Sequence, residues 1–150
     1  MILLDTNIVS ETMKQTPDPL VVAWLNEQIS ETLYLSSVTL AELLFGILDL
    51  PEGRRKKQLG QAVDRYTALF SGRILEFDVA AAKKYAELAV LARKRGRGFP
   101  VPDGYIAAIA SVHGFRVASR DVAPFEAANV DVINPWKKKS CYAGHLPSCG

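Results

Sequence analysis

Short apolar runs alternate along this chain with longer segments whose apolar positions recur every three or four residues. Ile2-Leu3-Leu4, Leu33-Tyr34-Leu35, Ile74-Leu75-Glu76-Phe77, Phe115 to Ala118 and Val130 to Ile133 have the length and composition of buried strands. Between them the spacing predicts helices. Ile8 to Met13 reads as a short helix or turn. Asp18-Pro19 supplies an N-cap and a first-turn proline ahead of Val21, Val22, Leu25 and Ile29. A helix from about Val38 to Leu50 is stopped by Pro51, and another from Glu52 to Phe70 is broken by Ser71-Gly72. Asp78 caps a helix that runs to Gly96 or Gly98. Phe99-Pro100-Val101-Pro102 cannot be helix interior, so Asp103 is expected to open the next helix. That helix is apolar nearly all round from Tyr105 to Val112, which predicts burial, and Gly114 ends it. Strands alternating with helices imply an α/β fold: a central, mostly parallel sheet flanked by helices on both faces.

Length and composition fit one soluble domain. The chain has 150 residues, of which 49% are hydrophobic, enough to bury a real core. No apolar run approaches the ~20 residues that span a bilayer. The start meets an acid at Asp5 with no basic stretch before it, unlike a signal peptide, so a cytoplasmic location is expected. Cys141 and Cys149 both lie near the end and cannot staple the core. Net charge is only +2, but basic residues cluster at Arg54-Arg55-Lys56-Lys57, at Arg93-Lys94-Arg95 with Arg97, and at Lys137-Lys138-Lys139. Such clusters suit phosphate contacts as well as solvated helix ends.

Candidate chemistry enters with four acids. Asp5 follows the first strand. Glu42 lies early in the helix after the second. Asp103 opens the most buried helix. Asp121 follows the strand that ends at Ala118, in Ser119-Arg120-Asp121. In a parallel sheet all four points fall on the carboxyl edge, where open α/β sheets bind ligands. Each also has a local explanation. Asp5 and Asp103 suit helix caps, Thr39-x-x-Glu42 has the spacing of a capping box, and Asp121 precedes Pro124 as a turn residue would. On a helical wheel Leu40, Leu43, Leu44, Ile47 and Leu48 form one stripe, and Glu42 points away from it, toward solvent or a cleft.

Converging carboxylates repel and raise one another's pKa. A hard divalent cation relieves this, and Mg²⁺ or Mn²⁺ with oxygen ligands is the chemistry such a set suits. Competing chemistries lack parts. There are only two histidines, His113 and His145, and His113 sits beside Gly114 at a helix end, which argues against a paired-histidine nuclease; no cysteine neighbours the acids; no phosphate-binding glycine loop is present; and an aspartyl-phosphate enzyme would want Asp where Asn7 stands.

Five segments, in order and at family-like spacing over residues 1–136, resemble the PIN-domain ribonucleases, specifically the VapC-like toxins of type II toxin–antitoxin pairs and within them the FitB-like subgroup. They are Leu3-Leu4-Asp5-Thr6-Asn7, Thr39-Leu40-Ala41-Glu42-Leu43, Pro102-Asp103-Gly104-Tyr105-Ile106-Ala107-Ala108-Ile109-Ala110, Ser119-Arg120-Asp121 with Pro124-Phe125, and Ile133-Asn134-Pro135-Trp136. The resemblance implies a PIN-like three-layer sandwich and a metal-dependent endoribonuclease that hydrolyses RNA phosphodiesters with metal-activated water. It places Asp5, Glu42, Asp103 and Asp121 as metal ligands and catalytic acids, and Ser119 as a catalytic-site hydroxyl where Thr is commoner. Thr6 and Asn7 would orient the site. Mg²⁺ is the implied cofactor, Mn²⁺ a possible substitute; RNA substrate, a VapB/FitA-like antitoxin and a second copy of the chain are the implied partners. Arg120, beside Asp121, is the foremost basic candidate along the RNA path. The alternative is a PIN-like module that binds nucleic acid or a partner without cutting; loss of an acid would be its signature, and none is lost. Residues 137–150 fall outside the match and read as a basic, flexible tail, with Cys141, His145 and Cys149 a conceivable soft-metal set.

Overall fold

A computed structural model describes residues 1–138 of the chain. Five strands form one sheet in the order β3-β2-β1-β4-β5, and every pairing is parallel. They are β1 (Ile2–Leu4), β2 (Leu33–Ser36), β3 (Ile74–Leu75), β4 (Arg116–Ala118) and β5 (Val132–Ile133). The expectation of a mostly parallel sheet is met in full. Pairing Leu3 with Tyr34 on one side and with Val117 on the other puts β1 at the centre.

Alternation along the strands sorts side chains into two cores. Ile2, Leu4, Leu33, Leu35 and Ala118 face one core with Ile8, Val9, Trp24, Leu43, Ile47 and Val63. Leu3 and Val117 face the other with Ala81, Leu88, Ile106, Ile109 and Phe125. The first core is covered by α1 (Thr6–Thr12), α2 (Pro19–Asn26), α3 (Ser37–Leu48) and α4 (Arg54–Leu69); the second by α5 (Val79–Lys94), α6 (Val101–His113) and α7 (Ala123–Ala127). Three layers result, as period-two strands buried on both faces require.

Local chemistry sets most element ends as the sequence predicts. Asp18 and Asp78 accept hydrogen bonds from the first-turn amides of Leu20 and Ala81. Gly114 takes the left-handed conformation (φ 67°, ψ 27°) that closes α6, a geometry costly for residues with a Cβ. Four expectations change. The helix opener before Asp103 is Pro100, and α6 begins at Val101, so Asp103 sits in its first turn rather than at its cap; proline is tolerated there because first-turn amides lack intrahelical partners anyway. The cap of α3 is Ser36, whose hydroxyl accepts from the Thr39 amide, so Thr39 and Glu42 do not form a capping box. The buried stripe of α3 is Thr39, Leu43 and Ile47, while Leu44 and Leu48 are exposed. Helix α7 was not expected, since Pro124 reads as a turn signal yet serves here in the first turn. No helix among the described residues is long and apolar enough to cross a membrane. The tail reading and the Cys141, His145 and Cys149 set lie outside the described residues.

Candidate active site

Strand order reverses at β1: the chain runs to β2 and β3 on one side, then returns to β4 on the other. Ligands of open α/β sheets bind in the crevice that such a reversal opens at the carboxyl ends of the strands. Asp5 ends β1 there and Ser119 follows β4. The Asp5 amide donates to the Ala118 carbonyl at 2.9 Å, which locks the two strand ends together.

Asp5 is 3% exposed. Such a carboxylate needs donors, and it has them. One oxygen accepts from the Thr6 amide at 2.8 Å; the other accepts from the Ser119 hydroxyl at 2.6 Å and the Asn7 amide nitrogen at 3.4 Å. Ser119 is fully buried and also receives Asn7 Nδ2 (3.2 Å) and the Asp121 amide (3.0 Å). The hydroxyl thus joins the end of β1 to the loop after β4, beneath the cleft rather than in it. Burial nonetheless raises the pKa of Asp5, with Glu42 and Asp121 adding to the rise and the Ser119 and Thr6 bonds opposing it.

The other three acids approach from separate elements. Glu42 accepts the Thr6 hydroxyl on Oε1 at 2.7 Å, so it faces the cleft, not solvent. Thr6 Oγ1 also lies 3.3 Å from Thr39 Oγ1, tying α1 to α3. Asp103 projects from the first turn of α6, half-buried and without a hydrogen-bond partner among the described residues. Burial first, then Asp5, Asp121 and Glu42, push its carboxyl from 3.8 up to about 6. Asp121 is exposed at the rim, near enough to act electrostatically on both Asp5 and Asp103.

Asp5, Thr6, Asn7, Glu42, Asp103 and Arg120 line one open cleft of about 320 Å³. Ser10, Glu11 and Lys14 complete it, with Glu11 and Lys14 paired at 2.6 Å. That hydrogen bond, with the Asp18 amide on Glu11 at 3.0 Å, lowers the Glu11 pKa. These two residues were missed in the sequence, although Asn7, Glu11 and Lys14 recur at intervals of four and three, one face of α1.

The four sequence-predicted acids therefore meet at one edge, and Ser119 lies under them. Their donor atoms are all carboxylate oxygens, the set preferred by Mg²⁺ and Mn²⁺. The unpartnered carboxyl of Asp103, held partly out of water among like charges, is what such an ion would neutralise. Among the described residues, no three Asp, Glu, His or Cys side chains are already gathered around one point. The arrangement is an open acidic cleft rather than a closed cage, as suits an ion that keeps waters and takes substrate oxygens.

Known proteins resemble this chain over most of its length. The PIN domain family model matches residues 2–130. The chain is 47% identical over 138 residues to VapC ribonuclease Y4jK of Sinorhizobium fredii, covering 91% of this chain and 99% of that one. It is 45% identical over 137 residues to toxin FitB of Neisseria gonorrhoeae, with the same coverage of 91% and 99%. The solved structure of FitAB bound to the IR36 DNA fragment superimposes with a TM-score of 0.90 at 43% identity, covering 95% of this chain and 100% of that chain.

Proposed function

This chain belongs to the PIN-domain family, and from that premise we propose that it is the toxin of a VapBC/FitAB-type toxin–antitoxin pair, acting as a metal-dependent endoribonuclease. The observation that carries the reading is the convergence of Asp5, Glu42 and Asp103 on one cleft at the sheet's switch point, with Asp121 at its rim. The 45–47% identity to proteins named as a VapC ribonuclease and toxin FitB supports it across nearly the whole chain. The mutual repulsion that raises Asp5 and Asp103 is a cost that a bound cation would offset, and a non-cleaving module has no use for it.

Asp5 and Asp103 would hold Mg²⁺ or Mn²⁺, Glu42 would share it, and Asp121 would serve a second ion or the outer edge of the site. The bound ion supplies a Lewis acid that makes water a nucleophile at neutral pH and neutralises charge on the phosphodiester. The chain's own residues supply order. Ser119, Thr6 and Asn7 fix Asp5 in one rotamer, so the central ligand needs no reorganisation. Thr6 occupies one oxygen of Glu42 and leaves the other free to orient the attacking water and take up its proton. In-line attack would leave a 5′-phosphate and a 3′-hydroxyl.

Two surfaces support the implied partners. A groove lined by Thr6, Met13, Glu42, Leu43, Ile47 and Leu59 runs from the cleft between α1, α3 and α4, a path for an antitoxin segment that ends in the active site. On α3, Leu44, Phe45 and Leu48 are exposed, Phe45 to 74%. An apolar patch of this kind is what a second copy of the chain would cover. Incubating the purified chain with RNA tests the activity. Endonucleolytic products with Mg²⁺ or Mn²⁺, and none with chelator, are expected; absence of products in every condition overturns the reading.

A further inference from the structure

Arg120 differs from the other cation of the cleft. Lys14 is neutralised by Glu11 at 2.6 Å, whereas Arg120 makes no ion pair within the salt-bridge distance among the described residues. Its backbone is held from both sides: its amide donates to Asn7 Oδ1 at 3.2 Å, and its carbonyl accepts from Asn134 Nδ2 at 3.4 Å. Its guanidinium lies over the ring of Trp136, with Cζ 4.4 Å from the ring centroid. Asn134 in turn fixes Trp136, accepting its amide at 3.0 Å. The Trp136 indole Nε1 is buried without a hydrogen-bond partner among the described residues. The indole's N–H makes no bond that would account for its place, and its ring face is the part in contact with the guanidinium.

We infer that Trp136 is a positioning residue of the active site: its ring holds the Arg120 guanidinium at the mouth of the acidic cleft, donors outward, to bind a phosphate oxygen of the nucleic-acid substrate. The inference rests on the nuclease reading for the identity of that substrate. Stacking on an aromatic face leaves the edge of a guanidinium free for a forked contact with phosphate. A cation is needed there, since four carboxylates otherwise repel a polyanion; a fixed guanidinium at the rim offsets this where the nucleic acid must enter. The turn after β5, Asn134-Pro135-Trp136, becomes part of the site through this contact, although no acid lies on it.

The test uses the full-length protein with Arg120→Gln, Trp136→Leu and Trp136→Phe. Each is also made with Asp103→Asn, so that binding of a short single-stranded RNA can be measured without cleavage. Arg120→Gln is expected to weaken binding roughly tenfold and to reduce the slope of log affinity against log salt by about 0.7, the value of one phosphate contact on a single strand. Trp136→Leu reproduces much of that loss, with KM rising more than kcat falls. Trp136→Phe keeps a ring face, removes the unpaired N–H, and restores both. A merely structural role would move thermal stability and leave the salt slope unchanged. If the wild type cleaves RNA while Arg120→Gln and Trp136→Leu match it in affinity, slope and KM, the inference is overturned and the nuclease reading stands. If the wild type binds RNA without cleaving it, and Arg120→Gln still lowers the slope, the nuclease reading falls and the phosphate contact stands. No RNA binding by any form overturns both.

Discussion

Asp103→Asn should make the ion-free protein more stable at alkaline pH. Its carboxyl is raised from 3.8 to about 6. Below pH 3.8 the proton is bound in both folded and unfolded chains, and the group costs nothing. Between 3.8 and 6 the folded chain keeps a proton that the unfolded chain has released. Above 6 both are ionised, and the full cost of a half-buried charge among like charges is present. Stability is therefore lost as pH rises through about 6. Taken at face value the shift is worth about 3 kcal/mol, at ~1.4 kcal/mol for each tenfold change in acidity. Asp103 is only half-buried, and solvent screening reduces this to about 1–2 kcal/mol. Its charge in the first turn of α6 also favours the helix by ~0.3–1 kcal/mol, which Asn forfeits. A net gain of about 1 kcal/mol remains, a rise in Tm of roughly 2–4 °C for a domain of this size. Asp103 is the right position for this substitution because its carboxyl makes no hydrogen bond. At Asp5 the incoming amide nitrogen would face donors on Thr6, Asn7 and Ser119. Thermal unfolding in chelator at pH 4 and pH 8 provides the assay. The variant should melt higher at pH 8 and with the wild type at pH 4, and added Mg²⁺ should stabilise the wild type more. A variant that melts no higher at pH 8, or keeps its advantage at pH 4, refutes the electrostatic reasoning.

Further expectations follow from the same geometry. Ser119→Ala removes the 2.6 Å bond that holds down the pKa of Asp5; the acid limb of the cleavage pH profile should move up, and Ser119→Thr should restore it. Gly104→Ala would place a Cβ 2.7 Å from Tyr85 Cε2 and 3.0 Å from Phe99 Cε1, costing ~1–3 kcal/mol as overpacking does and disturbing Asp103 next to it; calorimetry measures the first effect and Mg²⁺ affinity the second. Phe45→Glu puts a charge in the exposed apolar patch of α3 and should shift a homodimer to monomer in sedimentation, with the monomer's fold intact by circular dichroism.

How much of this was legible in the sequence varies with the range of the interaction. The sheet was legible because β1 is an unbroken buried apolar run, and β2 and β4 carry short apolar stretches, Leu33-Tyr34-Leu35 and Val117-Ala118, between helical segments. The acids were legible as a group because a parallel sheet sends each strand's end to the same edge. What decides their roles was not. Whether Glu42 faces solvent or cleft depends on the Thr6 hydroxyl, 36 positions away in the chain. The exposed Leu44 and Leu48 look like core on a helical wheel, since periodicity marks an apolar face without showing whether the domain's own core covers it. Helix α7 is only five residues long, too short for a period to show. Trp136 appears in the sequence as the end of a motif, and its link to Arg120 exists only once β4 and β5 lie side by side.

Single-turnover cleavage of a short RNA by the wild type and Asp5→Asn, across Mg²⁺ concentrations and with RNA binding measured in parallel, tests most directly whether these acids form one metal-dependent catalytic site. The expected result is Mg²⁺-dependent cleavage by the wild type and a rate loss beyond ~100-fold in Asp5→Asn, with RNA still bound. Cleavage by Asp5→Asn at the wild-type rate, or cleavage by the wild type undiminished in chelator, would contradict it.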